Sequence, residues 1–340
     1  MIKPKSTILT AFKKGADVHL EQVSPRELGP LDIRIRITAC GICGTDLHLN
    51  PADADQDLPF GHEIAGTVIE VGKKVHGLEI GQKVVLESAT ACGRCDACRN
   101  TRQELCTDIQ SFFFMNSFGF AEEMIAPAIC AIPCEDLSPE VACLSEPLGV
   151  AIDMVRLAEI NPTSNVLVMG PGPIGLMAVS LVRRMGARKI FLSAFDRNTA
   201  RIAAAKAIGV DGIFDPSRQP LSEVDFGCEI DRILVTTPPP TLNDAMGVAC
   251  KGGIISFIGI AFGEKASCTF NANDFHFKKL QLRASFASPA LYTPQALRYL
   301  REKVVDPEIL ISHRFPLEQM VAAMQTARDG SRAVKVMINP

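Results

Sequence analysis

The chain has no surplus of positive charge: 35 lysines and arginines face 38 aspartates and glutamates, for a formal net charge of -3 and a pI near 6.1. That balance supplies no global field to recruit nucleic acid or an anionic membrane, so the expected partners are small molecules. Aromatic side chains are scarce, at 6% with no tryptophan and two tyrosines, which leaves few platforms on which unpaired bases could stack. The stretch MIKPKSTILTAFKK has only a short apolar patch between lysines and no small-residue cleavage pattern. It does not read as a secretory signal, and a cytoplasmic protein is expected. One uncharged run, Ile160 to Val182, has the length of a membrane span, but Pro162, Pro171, Gly172 and Pro173 interrupt it and argue against a continuous helix. Internal repeats and low-complexity tracts are absent.

What is present is the composition of a globular protein, 47% hydrophobic and 21% charged over 340 residues, a length that favours two domains. Twelve cysteines would suggest disulfides in a small secreted chain. This chain is too long to need such staples, so thiolate chemistry or metal binding is the better question.

The early segments alternate apolar and polar residues at Ile33, Ile35 and Ile37, and again over Val68 to Val71 and Val84 to Leu86, with Gly and Pro between them. They read as a mostly β region with irregular loops. From about residue 150 the pattern changes. Short apolar runs at Val166 to Met169, Ile190 to Phe195, Ile230 to Thr236 and Ile254 to Ile258 alternate with helical stretches, one ending at Met185 and another covering Arg201 to Ile208. That alternation implies a doubly wound, parallel α/β sheet. The last fifty residues, with Ala296 to Val305, Leu317 to Thr326 and a closing strand Ala333 to Ile338, could extend this sheet or return to the first domain.

Gly170, Gly172 and Gly175 stand in the order G-x-G-x-x-G, with Pro173 and Ile174 inside the motif, directly after the first of those strands and before a helix. The glycines permit a tight turn, approach of the backbone to a pyrophosphate and close helix packing, with the phosphate resting on the helix N-terminus. Asp196 follows Gly175 by 21 residues, where a carboxylate accepts hydrogen bonds from the adenosine ribose and repels a 2′-phosphate. NAD is therefore expected over NADP, although Arg197 and Arg201 stand close enough to meet a phosphate.

Cys92, Cys95, Cys98 and Cys106, spaced C-x2-C-x2-C-x7-C, suit a closed tetrahedral zinc that orders a loop; two disulfides or a redox switch are the competing readings. A second metal site is suggested by Cys43, Thr45 and His48 in CGICGTDLH, by His62 and Glu63 in G-H-E, and by Glu146 in S-E-P-L. One thiolate, one imidazole and one or two carboxylates would hold zinc while leaving room for an alcohol oxygen. Taken singly, Cys43 could be a small buried hydrophobe, His48 a solvated loop residue and Glu146 a helix-start carboxylate. Cys40 and Cys43 also spell C-x-x-C, a redox spacing.

Together with G-P-G-P-I-G and H-R-F-P-L-E at His313 to Glu318, these elements span essentially the whole chain and resemble the zinc-containing medium-chain dehydrogenase/reductase family. The resemblance implies a GroES-like, mostly β catalytic domain of residues 1–150 and 290–340, and an inserted Rossmann domain of residues 151–289. It implies that Cys43, His62 and Glu63 ligate a catalytic zinc, with Glu146 as a fourth ligand or reaching it through water. Thr45 would contact the substrate oxygen and His48 would relay its proton through the cofactor ribose. The E-P-L element is closer to sorbitol, xylitol and related polyol dehydrogenases than to ethanol-type enzymes, and L-threonine 3-dehydrogenases are also near. The implied activity is NAD-linked oxidation of a secondary alcohol of a polyol, cyclitol or sugar derivative to a ketone, with two zinc ions per chain. A non-catalytic NAD-binding regulator is the rival of another class. A homodimer or homotetramer is implied too, with the apolar strand Ile254 to Ile258 as candidate edge for pairing sheets between subunits. Asp53, Asp55 and Asp57 could face a substrate or belong to a solvated loop. Departures from the family pattern are the aromatic patch Phe112 to Phe114 and Phe118, and Ser117 and Ala284 at positions where glycine is common; they would reshape the pocket or a subunit contact.

Overall fold

The computed structural model describes residues 4–48 and 55–340. Strands β1 (Ile8–Lys14) and β2 (Asp17–Val23) form a hairpin, followed by β3 (Asp32–Gly41) and the single turn α1 (Gly44–Leu47). Next come β4 (Leu58–Pro59), β5 (Glu63–Val71), β6 (Lys83–Leu86), the turn α2 (Asp96–Arg99), β7 (Glu123–Pro127) and β8 (Ala131–Pro133). β3 is the spine of this half. Its Ile33, Ile35 and Ile37 are buried, each stabilising the fold by roughly 2 kcal/mol, and it pairs antiparallel with both β5 and β7.

Two helices, α3 (Pro139–Cys143) and α4 (Ser145–Leu157), carry the chain into the second half. There β9 (Asn165–Met169), α5 (Pro173–Arg184), β10 (Lys189–Ser193), α6 (Thr199–Ile208), β11 (Gly212–Phe214), β12 (Ile230–Val235), α7 (Leu242–Val248), β13 (Ala249–Phe257), α8 (Ala272–Phe277) and β14 (Gln281–Ala284) follow in order. The six strands form one parallel sheet in the order β11-β10-β9-β12-β13-β14, and β9 is buried along its whole length as a central parallel strand must be. The order turns back at β9, between β10 and β12, and a switch point of this kind opens a crevice at the carboxyl ends of the strands.

The chain then passes through α9 (Thr293–Arg301) and α10 (Pro307–Leu310) to β15 (Ile311–Pro316), α11 (Met320–Arg328) and β16 (Lys335–Asn339). β16 pairs antiparallel with β3, Met337 opposite Gly41 and Ile338 opposite Cys40, so the C-terminus rejoins the first half. A seven-stranded sheet results, in the order β15-β16-β3-β5-β6-β8 with β7 on β3.

One expectation is corrected. Ile254 to Ile258 is not a sheet edge: it lies largely in β13, between β12 and β14, with Ile254 and Ile255 buried. A continuous apolar run marks an interior strand covered on both faces, and the edge is the short strand β14, whose Gln281 and Arg283 give it no such run. Among the described residues no helix is long and apolar enough to cross a membrane.

Candidate active site and metal centres

Cys43 is the N-cap of α1, and the Asp46 carboxylate reaches back to accept its backbone N–H at 2.8 Å. From β1, the Lys13 ammonium donates to the carbonyls of Asp46 and His48 at 2.7 Å each. The turn is thereby fixed from both sides, with Thr45 and His48 on its exposed rim and the Thr45 hydroxyl 3.7 Å from Cys43 Sγ. His62, just before β5, shares a hydrogen bond with the Cys43 side chain, and its Nδ1 lies 3.7 Å from Asp46 Oδ1. Burial opposes protonation of His62, yet Cys43, Asp46 and Glu146 together hold the imidazole well above its ordinary pKa.

Glu63 opens β5 fully buried, and its carboxylate pairs with Lys335 of β16, which also donates to the Ile42 carbonyl at 2.9 Å. A buried lysine is tolerable only with such a partner. Glu146, in the first turn of α4, accepts a long hydrogen bond from Ser88 Oγ at 3.5 Å. Burial, reinforced by Glu63, lifts its carboxyl to about 7, and burial likewise raises Asp46. Two buried carboxylates, the half-buried Glu146 and a thiol thus converge on one imidazole and one lysine. An acid cluster of this kind is short of positive charge, and its sulfur, nitrogen and oxygen donors suit zinc. Cys43, His62, Glu63 and Glu146 stand further apart than the second group of candidate ligands.

That second group is compact. The Sγ atoms of Cys92, Cys95, Cys98 and Cys106 all lie within 4.8 Å of one another, and Cys95 Sγ is 3.9 Å from Cys106 Sγ. Four sulfurs placed tetrahedrally at about 2.3 Å from zinc would be about 3.8 Å apart. Backbone N–H groups of Arg94 and Cys95 point at Cys92 Sγ at 3.4 and 3.3 Å, and that of Cys92 at Cys106 Sγ at 3.4 Å. N–H donors from Cys98 and Thr107 bring the Cys95 thiol down to about 6, whereas burial pushes Cys98 up to about 12. All twelve cysteines are free thiols, so neither the two-disulfide reading of this loop nor a Cys40–Cys43 bridge is present.

Thr45, Asp46, His48 and His62 line one cleft of about 420 Å³, together with Lys13, Phe60, Phe113, Phe118 and, from beyond β13, Phe262. Its size suits a small ligand. The aromatic patch lies on this wall: Phe113 and Phe118 stack at 5.2 Å and the His62 ring meets Phe113 edge-on at 6.1 Å, while Phe112 is buried behind them. Ala284 instead falls on the edge strand β14. Asp55 is exposed and Asp57 pairs with His19 at 3.4 Å on the surface; Asp53 lies outside the described residues.

At the carboxyl end of β9, Gly170 has φ +108°, and a Cβ there would meet Thr236 Oγ1 at 2.5 Å. A Cβ on Gly175 would lie 2.1 Å from the Gly170 carbonyl, so the close helix approach demands glycine. Gly172, the N-cap of α5, faces open space, Pro173 begins the helix and Ile174 packs against the core, with no acid in the first turn. This cradle fits a pyrophosphate. Asp196 sits past β10 and is paired with Arg218, while Arg197 lies 4.3 Å over the Phe195 ring. Arg201 is directed elsewhere: it donates to the carbonyls of Ala333 at 3.1 Å and Ala327 at 3.4 Å.

Three residues escaped the sequence reading. Asp46 stands inside the quoted C-G-T-D motif, three positions after Cys43, a capping-box spacing that could have flagged it. Lys335 could have been noticed as a lone charge within the apolar run Ala333 to Ile338. Arg218 carries no local signal.

Comparison with known proteins agrees with this geometry. Residues 29–136 match the alcohol dehydrogenase GroES-like domain and residues 173–302 the zinc-binding dehydrogenase family. The chain is similar to an L-idonate 5-dehydrogenase of Vitis vinifera, 32% identical with 92% of this chain and 89% of the relative aligned. A sorbitol dehydrogenase of Arabidopsis thaliana is 33% identical over the same shares, and an L-threonine 3-dehydrogenase of Mesorhizobium japonicum 30% identical over 97% of each chain. Among solved structures, an alcohol dehydrogenase from Thermus sp. ATN1 superimposes with a TM-score of 0.85 at 28% identity, covering 97% of this chain and 99% of its own. With a GroES-like half, a Rossmann half and relatives matched along nearly the whole length, the chain belongs to the zinc-binding alcohol dehydrogenases of the medium-chain dehydrogenase/reductase family, and it is an oxidoreductase.

Proposed function

We propose that the protein oxidises a secondary alcohol of a polyol, cyclitol or sugar derivative to the ketone, reversibly and with NAD, as a cytoplasmic homo-oligomer carrying two zinc ions per chain. The observation that carries this reading is the meeting of Thr45, His48 and His62, the last hydrogen-bonded to Cys43, in one cleft that Phe262 of the other half helps to close. Cys43, His62 and Glu63 would hold the catalytic zinc, with Glu146 reaching it directly or through water; Cys92, Cys95, Cys98 and Cys106 would hold the structural one. When bound, zinc supplies Lewis acidity that eases loss of the alcohol proton, and nicotinamide accepts the hydride.

The chain's own side chains then have separable tasks. The Thr45 hydroxyl can accept the alcohol proton while donating its own, and His48 on the exposed rim passes it towards solvent. Asp46 orients the His62 ring. Phe113 and Phe118 exclude water from the reacting carbon. Gly170, Gly172, Pro173, Ile174 and Gly175 cradle the pyrophosphate, and Asp196 accepts the adenosine ribose. In this reading residues 1–150 and 290–340 form the catalytic unit and residues 151–289 the dinucleotide unit, with the exposed Leu282 of β14 and nearby Phe286 marking the face for subunit pairing.

The test is the initial rate of NADH formation by zinc-replete enzyme across polyols, cyclitols, sugars, sugar phosphates and L-threonine. Turnover on polyols or sugars that disappears with chelator is expected. A clean preference for L-threonine would replace the substrate class with that of the third relative, and NADH binding without turnover on any alcohol would favour a regulator.

A further inference from the structure

A carboxylate at the ribose discriminates against a 2′-phosphate only while its charge is uncompensated. Asp196 is compensated. Arg218, from the segment after β11, forms an ion pair with it, and the intervening residues are arranged to keep it there. Asp215 accepts the Asp196 N–H at 2.7 Å and, from Ser217, the N–H at 2.8 Å and the hydroxyl at 2.6 Å, while the Arg218 N–H donates to the Asp215 carbonyl at 3.1 Å. On the other flank Arg197 lies over Phe195. Two guanidinium groups thus balance two carboxylates, and the Asp215 oxygens are already engaged by the loop. No net negative charge remains to repel a phosphate.

We propose that Arg218 makes this a dual-cofactor site, in which Asp196 receives the ribose hydroxyls of NAD and Arg218 receives the 2′-phosphate of NADP. The proposal rests on the dinucleotide-dependent dehydrogenase reading and changes its expected preference for NAD. Both side chains are largely in water, 75% and 50% exposed, and the pair is made through Nη2 alone, so the guanidinium can turn further N–H donors to a phosphate while still compensating Asp196. The phosphate would gain charge-assisted hydrogen bonds. Arg201, the other cation expected from the sequence, is already committed to the Ala333 and Ala327 carbonyls.

The experiment is isothermal titration of the holoenzyme and its Arg218→Ala and Arg218→Lys variants with NADH, NADPH, ADP and 2′,5′-ADP. Wild type should bind NADH and NADPH within about tenfold of each other. Arg218→Ala should weaken NADPH and 2′,5′-ADP by roughly tenfold relative to NADH and ADP, the size of one lost charged hydrogen bond, and Arg218→Lys should restore part of it. Retained NADH binding shows that the variants are folded. A shift in the NADPH to NADH ratio below about threefold would overturn the role of Arg218 while leaving the dehydrogenase reading intact. Wild type that binds neither dinucleotide would overturn both.

Discussion

Lys335 shows how single residues decide this site. It is 1% exposed at the start of β16, followed by the apolar Val336, Met337 and Ile338, and its ammonium is shared between the Glu63 carboxylate and the Ile42 carbonyl. Lys335→Met removes the charge but not the volume, leaving Glu63 buried without its counter-ion. We expect a loss of about 3–5 kcal/mol in denaturant unfolding, with much of it recovered in Lys335→Met combined with Glu63→Gln. A loss under about 1 kcal/mol would mean that the pair is solvated and weak. Cys43, Thr45, His48, His62 and the glycines of the cradle were legible in the sequence because each sits in a short motif whose chemistry is local. Lys335 was not, because its partner lies 272 residues away and is brought near only through β3, which pairs with β16 on one side and β5 on the other. Arg201 shows the converse. Its distance along the chain from Asp196 is short, but its guanidinium turns to the C-terminal segment.

Among the elements, the loop from Cys92 to Cys106 has the least regular structure and the strongest internal constraint. It holds one helical turn, α2, and a short 3-10 turn, and the backbone N–H groups of Cys92, Arg94 and Cys95 aim at sulfur. N–H donors from Cys98 and Thr107 depress the Cys95 pKa from 9.0 to about 6 in the folded chain. The sign follows: the thiolate's contribution is complete above the unfolded value and is lost as pH falls through the folded one. Bound zinc competes with protons for the same sulfur. Zinc release from this loop, followed with a chromophoric chelator, should therefore increase as the pH falls, and release that does not depend on pH would contradict the assignment. The strands themselves were well legible where burial is two-sided, as in β9, but their place in the sheet was not: β13 was expected at an edge and lies between β12 and β14. β14 is short and mixed in character, so its edge position comes from tertiary pairing and not from its own pattern.

At the scale of the whole molecule, a largely antiparallel half and a parallel half meet where Phe262 of the second reaches the cleft of the first. The first half supplies the Cys43 turn, His62 and the aromatic wall; the second supplies Phe262 and the dinucleotide cradle. The change from alternating to continuous apolar strands near residue 150 made this division visible in the sequence. The return of the C-terminus to the first sheet rests on β16 pairing with β3, which the strand's own pattern does not announce. The central claim is that the Cys43 cluster is a metal site required for turnover and separate from the four-cysteine site. Its most direct test is metal content per chain in Cys43→Ala, measured alongside NADH binding and turnover on the best substrate of the panel. The account predicts one zinc where wild type has two, NADH still bound, and turnover abolished. Two zinc ions with activity retained would contradict it.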